Sequence, residues 1–182
     1  MVLKTENQNF RNKKTTIPDE YYQVIVNSIK GSFYKQVRLR IAFFLLAITG
    51  ISVKKLLFIK VGQLESLIEN KFILIRNNSK KIFLSEKGKQ VLKERKDDFI
   101  LFKQYKTSPQ DFVFSSKKKP DKKISRETLT KEINNHLKLV AHQMNDFPVW
   151  TSYPFRQRYF TSMWLDLSED DIKFMHRTIS ED

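Results

Sequence analysis

The amino-acid sequence predicts a mainly helical α+β domain with a small antiparallel sheet of about three strands. The longest apolar run, Ile41 to Ile48, has no polar face and predicts a buried central helix. After Gly62 the apolar residues fall into short runs separated by turn residues, as is typical of short strands. Beyond Ser125 they recur at helical spacing. A chain of 182 residues suits a single domain of ordinary size.

The central apolar run is the element around which we expect the rest of the chain to pack. The helix is predicted to end at Gly50, because glycine readily adopts the positive φ of a helix C-terminus, and a second helix follows from Val53. The apolar run is too short to cross a bilayer and is flanked by cations, among them Arg40 and Lys54. We therefore expect no membrane contact.

The N-terminal part divides into an arm and the start of the domain. Residues 1–16 are polar and basic, which predicts a flexible arm. A proline and two acids at 18–20 mark the beginning of a helix, and Gly31 marks its end. The domain is therefore expected to span residues 17–182.

The middle of the chain predicts the sheet. Apolar runs at 64–68, 72–75 and 82–84 are separated by polar turn residues, which indicates about three antiparallel strands. Ser85 is a good N-cap for the helix that follows. The sequence leaves open whether residues 99–105 continue that helix or form a separate element.

The C-terminal third is predicted to be mainly helical. Residues 117–123 form a polar loop with a cluster of cations, and Ser125 caps an amphipathic helix. The inward-facing residues of that helix are Leu129, Ile133, Leu137 and Val140. Residues 147–154 contain two prolines and predict a loop, and 155–165 predict a helix. Residues 168–171 predict a capping box that opens the last helix, 172–175.

The charge of the chain narrows the classes of function. Lys and Arg total 34 against 20 Asp and Glu, and the net charge of +14 favours a polyanionic partner such as nucleic acid or an anionic membrane surface, between which charge alone does not choose. Cysteine is absent, which excludes disulfides, thiolate metal ligands and a cysteine nucleophile. His136, His142 and His176 share no ligand spacing, so neither a metal site nor a cofactor is predicted.

The start of the chain and its amino-acid usage bear on location. The first residues contain no apolar signal segment, so we expect an internal, reducing compartment. Together with a nucleic-acid partner, this would make the protein intracellular and DNA-associated. The chain is rich in Lys, Ile, Asn and Phe and poor in Gly and Pro, a bias that A+T-rich coding produces. Such coding is typical of an organelle such as the plastid, of phages and of some bacteria, and cytoplasm or nucleoid is the alternative location.

Four segments carry a resemblance to a known family. They are Leu45 to Ile51, an apolar helix ending in Thr-Gly; Lys80 to Ser85, a hairpin strand leading to a Ser-capped helix; Asp111 to Phe114; and Tyr153 to Thr161. Together they resemble the catalytic domain of tyrosine recombinases, the phage-integrase family, whose His-x-Leu-Arg-His-Thr-Phe box is similar to the last segment. The resemblance covers about residues 16–180 and implies the integrase-type fold and a role in DNA recombination or integration.

The family's chemistry requires two arginines and a histidine or lysine around one phosphate, and a tyrosine that attacks it. The resemblance assigns three catalytic positions in this chain. They are Arg156 in the box, Lys80 in the hairpin and His176 near the end.

Several positions depart from the family pattern. Ser52 stands where the first arginine belongs, and Lys55 replaces a supporting glutamate. Tyr153 replaces the histidine of the box, and strict register puts Asn78 at the position of the hairpin lysine. The sequence ends at Asp182, before the helix that carries the nucleophile. The resemblance therefore predicts a C-terminally truncated, degenerate recombinase with impaired strand cleavage.

The same resemblance gathers further cations onto a DNA-facing surface. The expected DNA contacts are Lys54, Lys55, Lys81, Arg158 and Arg177. The expected partner is double-stranded DNA, on which homo- or hetero-oligomers could assemble.

Two alternatives come from other parts of the sequence. Residues 67–89 look like the wing and following helix of a winged-helix transcription regulator, which would make 53–59 a recognition helix without catalysis. The aromatic-rich region 147–164 would instead fit a protein partner, although aromatics at this density are more often core. The recombinase resemblance covers more of the chain than either alternative.

Overall fold

The computed structural model of this chain describes residues 17–70, 72–75, 80–144, 150–156, 170 and 173. The helices are α1 (Asp19–Asn27), α2 (Phe33–Thr49), α3 (Val53–Leu56), α4 (Val61–Asn70), α5 (Glu86–Glu94), α6 (Lys96–Lys103) and α7 (Arg126–Gln143). The strands are β1 (Phe72–Ile75), β2 (Lys80–Phe83), β3 (Ser115–Ser116) and β4 (Lys119–Lys123). The predicted arm, residues 1–16, lies outside the described residues.

Helix α2 is the centre of the core, as predicted. Every residue from Ile41 to Gly50 is buried, because other elements cover the helix on all sides. Helix α6 packs on it through Phe99, whose ring centroid lies 5.0 Å from that of Phe44. The segment after α7 packs on it through Phe155, whose ring centroid lies 4.9 Å from that of Phe43. No helix in the described part of the chain is long and apolar enough to cross a membrane.

The predicted sheet of about three strands has two strands among the described residues, so its number of strands is wrong there. Strands β1 and β2 form a two-stranded antiparallel hairpin that pairs Phe72 with Phe83 and Ile75 with Lys80. The apolar run expected as a further strand belongs to α4 instead. Its buried residues, Val61, Leu64 and Leu67, recur every three residues, and this is a helical period.

The second hairpin lies where a polar loop was predicted. Strands β3 and β4 pair across a tight turn at Lys117 and Lys118, and backbone bonds extend the pairing on both sides. The Phe112 N–H donates to the Pro120 carbonyl at 3.0 Å, and the Ile124 N–H donates to the Phe114 carbonyl at 2.8 Å. Because β4 is mostly exposed, its sequence lacks the apolar alternation that indicates a strand.

The other predictions concern where helices begin and end. Ser85 and Ser125 cap α5 and α7 as predicted, each accepting a backbone N–H three residues on. Residues 96–103 form a separate helix, α6, after a break at Arg95. Residues 152–156 are helical, so this helix begins before the predicted Phe155, within the segment expected to be a loop. The predicted last helix falls almost entirely outside the described residues.

Candidate nucleic-acid interface

The turn between α2 and α3 is fixed by its own sequence. Gly50 adopts φ 65°, the left-handed conformation that favours glycine, and its N–H donates to the Leu46 carbonyl at 3.2 Å. Two residues on, the Ser52 hydroxyl accepts the Lys55 N–H at 3.3 Å and caps α3. The Ser52 side chain, which the resemblance puts at the position of a family arginine, therefore serves as a helix cap.

Arg156 reaches this turn from the far end of the chain. Its Nε donates to the Gly50 carbonyl at 2.8 Å. The neighbouring Phe155 is fully buried and makes an edge contact with Tyr22, which fixes the backbone that carries Arg156. Among the described residues, Nε is the one guanidinium nitrogen of Arg156 with a hydrogen-bond acceptor. The N–H groups of the other two nitrogens can therefore bind an anion. The structure thus brings together two of the segments that carried the resemblance.

The other predicted site residues lie on different elements and differ in how exposed they are. Lys54 is exposed on α3, whereas Lys55 is only 9 % exposed, since consecutive helical residues point in different directions. Lys80 and Lys81 lie on β2, opposite Ile75 and Leu74. Three predicted residues, Arg158, His176 and Arg177, lie outside the described residues.

The β3–β4 hairpin, residues 115–123, carries a group of cations that the prediction of site residues missed. We call it the basic hairpin. Its exposed lysines are Lys117, Lys118, Lys119, Lys122 and Lys123. The run KKKPDKK signals this charge in the sequence, but only the pairing of β3 with β4 makes it a defined surface.

Contacts with residues 58–60, the segment after α3, hold the basic hairpin and the residues just before it near the end of α3. Lys123 Nζ lies 3.3 Å from the ring centroid of Phe58, an aromatic side chain that is 55 % exposed. Lys60 Nζ lies 5.4 Å from the ring centroid of Phe112. At the backbone level the Val113 N–H donates to the Ile59 carbonyl at 2.9 Å. Lys54 and the hairpin lysines therefore belong to neighbouring elements.

A polar cluster, part buried and part half-buried, holds the base of the basic hairpin. Its members, which we call the hairpin anchor, are Tyr34, Arg38, Lys106, Ser115 and Glu132. The Ser115 carbonyl accepts from the Tyr34 hydroxyl at 2.9 Å and from Arg38 Nη1 at 2.8 Å. Arg38 Nη2 lies 2.7 Å from both carboxylate oxygens of Glu132. The anchor connects α2, α7 and the hairpin.

Lys106 is the most perturbed cation of the anchor. Its Nζ donates to the Tyr34 hydroxyl at 3.0 Å and to the Phe112 carbonyl at 2.9 Å. Burial lowers the pKa of Lys106 to about 8; the nearby Asp111 carboxylate opposes this shift, and Arg38 adds to it. Lys106 is therefore only partly protonated in the range just above neutral pH.

No metal centre is present in the described part of the chain, where no group of three His, Cys, Asp or Glu could hold an ion. His136 is a packing residue, with Nε2 2.7 Å from the Ile25 carbonyl and its ring 5.6 Å from that of Phe43. Burial lowers the pKa of His136 below its ordinary value, which favours the neutral ring.

Comparison of the whole fold with solved structures finds a protein of similar architecture. The mainly helical architecture, with its antiparallel hairpin after α4, resembles the catalytic domain of a tyrosine recombinase. The crystal structure of XerA recombinase superposes with a TM-score of 0.63 at 15% sequence identity, over 96% of this chain and 57% of that chain. This chain therefore spans little more than half the length of that recombinase.

Comparisons of the amino-acid sequence find no related family or protein. No protein-family profile matches the chain. No curated protein sequence matches it either. The likeness to XerA recombinase, at this level of identity, is a likeness of fold.

Proposed function

We propose that this chain is a DNA-binding protein of the tyrosine recombinase type, with DNA recombination or integration as its ancestral role. The observation that carries the proposal is the contact between Arg156 Nε and the Gly50 carbonyl. It joins two segments that resemble the family, within a fold similar to that of a recombinase. The net charge of +14 supports a polyanionic partner.

The proposed DNA surface consists of Arg156, Lys54 and the basic hairpin. The hairpin carries five exposed lysines and one carboxylate, Asp121. Its electrostatic field is therefore strongly positive. Lysine and arginine contacts to phosphates hold DNA without reading its sequence. We expect binding to be salt-sensitive and weakly selective for sequence. Lys81, Arg158 and Arg177 are proposed as further phosphate contacts.

Strand cleavage is proposed to be impaired. Ser52 caps α3 at the position of the family's first arginine, and Tyr153, which is 46 % exposed, replaces a histidine of the box. Removing one preorganised donor from a transition state costs about 3 kcal/mol. After two such losses, the remaining groups are Arg156 and its proposed partners Lys80 and His176. We expect these to be too few cations for efficient attack on a phosphate.

The winged-helix alternative has less support. It requires a recognition helix over 53–59, but α3 ends at Leu56 and is a single turn. The protein-partner alternative rests on aromatic residues near the C-terminus, of which Trp150 and Phe155 are buried in the core. We therefore do not propose either of these functions.

The test is a salt titration of binding to a short DNA duplex. Wild type is compared with Arg156→Ala, with Lys54→Gln and with the double variant Lys118→Gln/Lys122→Gln. The matched control is Lys93→Gln, because Lys93 is an exposed lysine on α5, away from the proposed surface. Each lost phosphate contact should reduce the slope of log affinity against log salt by roughly one.

The result expected is a smaller slope for all three surface variants and an unchanged slope for Lys93→Gln. Absence of binding at low salt, or an equal loss in the control, contradicts the proposal. A separate assay mixes the protein with nicked duplex and looks for a covalent protein–DNA adduct on a denaturing gel. We expect none, and an adduct would show that cleavage has been retained.

A further inference from the structure

A groove lies between the end of α1, the first half of α2 and one face of α7. Its volume is about 430 Å³, within the range of clefts that hold small ligands. Cations, polar groups and one exposed apolar side chain line it. The lining residues used below are Lys30, Lys35, Lys131, Glu132, His136 and Leu139.

The charges that face the groove are predominantly positive. Lys30, Lys35 and Lys131 are exposed and form no ion pair with any described residue. The one carboxylate of the lining, Glu132, is held by both bonds of its pair with Arg38. Three uncompensated cations around one hollow attract a multiply charged anion, because each lysine contributes a point charge and rotatable donors.

The remaining lining fits the uncharged part of a ligand. His136 Nε2 lies 2.7 Å from a carbonyl, which can only accept, so Nε2 carries the proton and Nδ1 is left as an acceptor. Leu139 is 56 % exposed at the edge of the groove and offers an apolar surface. An acceptor and an apolar surface beside three cations suit a molecule that combines phosphates with a ring and hydrogen-bond donors.

The groove is separate from the Arg156 end of the proposed DNA surface. Lys35 lies near the start of α2, and Arg156 contacts Gly50 just past its end. At 1.5 Å per residue, these two points on α2 are about 22 Å apart. Arg156 and the groove can therefore be tested independently.

We propose that this groove binds a phosphorylated small molecule of nucleotide size. The phosphates lie among Lys30, Lys35 and Lys131, and the ring or sugar packs on Leu139 and donates to His136. This site goes beyond DNA binding and does not depend on it.

Titration calorimetry of the full chain at low salt tests the proposal, with ATP and inorganic tripolyphosphate as probes. The key variant is Lys131→Gln, and the matched control is Lys138→Gln, an exposed lysine of α7 outside the groove. We expect wild type to bind ATP, Lys131→Gln to bind roughly tenfold more weakly, and Lys138→Gln to bind as wild type does. Tighter binding of ATP than of tripolyphosphate supports a nucleotide, and equal binding supports an inorganic polyphosphate in the same groove.

Two results overturn the proposal. The first is absence of binding to both probes at low salt. The second is an equal loss in Lys131→Gln and Lys138→Gln, which would make the attraction a general property of a basic surface. Duplex binding of the same two variants is measured in parallel. If Lys131→Gln weakens duplex binding while ATP does not bind, the lysines belong to the DNA surface and the small-molecule site is wrong.

Discussion

The two halves of α2 hold the molecule together in different ways. The second half, Ile41 to Ile48, is buried and wholly apolar, and it packs on rings such as Phe99 and Phe155. The first half makes directed polar contacts, through Tyr34 and Arg38, to the base of the basic hairpin. Burial of apolar surface is not directional, whereas hydrogen bonds require a particular geometry.

This difference separates stability from positioning. The apolar half supplies most of the packing and should be indifferent to pH and salt. The polar half sets where the hairpin lies relative to α2, and it contains Lys106, a group that titrates just above neutral pH. Substitutions in the two halves should therefore differ in size, in their response to pH, and in whether they loosen the whole fold or one hairpin.

The largest effect is expected from Phe43→Ala in the apolar half. Phe43 is fully buried, and its removal leaves a cavity beside Phe155, so the free energy of unfolding should fall by about 4 kcal/mol. Chemical denaturation measures the change. Phe58→Ala is the control, because that ring is 55 % exposed and should cost less than about 1 kcal/mol. Similar losses in both variants would contradict the comparison.

A smaller and more local effect is expected from Arg38→Ala. The variant removes a bond to the Ser115 carbonyl and leaves the Glu132 carboxylate unpaired, at a cost of about 3 kcal/mol. Hydrogen exchange of the Ile124 amide, which pairs the hairpin ends, should quicken more than exchange within α2. The double variant Arg38→Met/Glu132→Leu should lose less than Arg38→Ala, since no charge is left unpaired. A loss equal to or greater than that of the single variant would argue against the ion pair as the cause.

The smallest effect concerns pH and Lys106. The pKa of Lys106 is about 8 in the folded protein, against an ordinary value of 10.5, so between these pH values the unfolded chain binds more protons. The free energy of unfolding of wild type should therefore rise with pH relative to that of Lys106→Met. Because this side chain is partly solvated, the gain between pH 7 and pH 9.5 should be about 1 kcal/mol.

Denaturation curves of wild type and Lys106→Met at pH 7, 8 and 9.5 measure this gain. The range ends below pH 10 because burial raises the pKa of the neighbouring Tyr34 above its ordinary value, and its ionisation would act in the opposite direction. A difference between the two proteins that does not change with pH would show that Lys106 keeps its proton throughout.

Local signals in the sequence were sufficient for much of the helical framework. The uninterrupted apolar run predicted α2, Gly50 predicted its end, and Ser85 and Ser125 predicted two helix starts. These features depend on residues within one turn of each other, so they can be read without knowing the fold. Periodicity was less decisive for the short apolar run at 64–68, where spacing fits both a strand and a helix and the structure has α4.

The site shows where local signals end. The charge, the buried helix, its glycine end and the candidacy of Arg156 all follow from the order of amino acids alone. The folded structure adds three facts: Arg156 meets the Gly50 carbonyl, Lys55 is buried beside an exposed Lys54, and 117–123 forms part of a hairpin. Arg156 and Gly50 are 106 residues apart, and their contact follows from how the elements pack around α2, as does the burial of Lys55. The hairpin is local, but its mostly exposed strand β4 lacks the apolar alternation that indicates a strand.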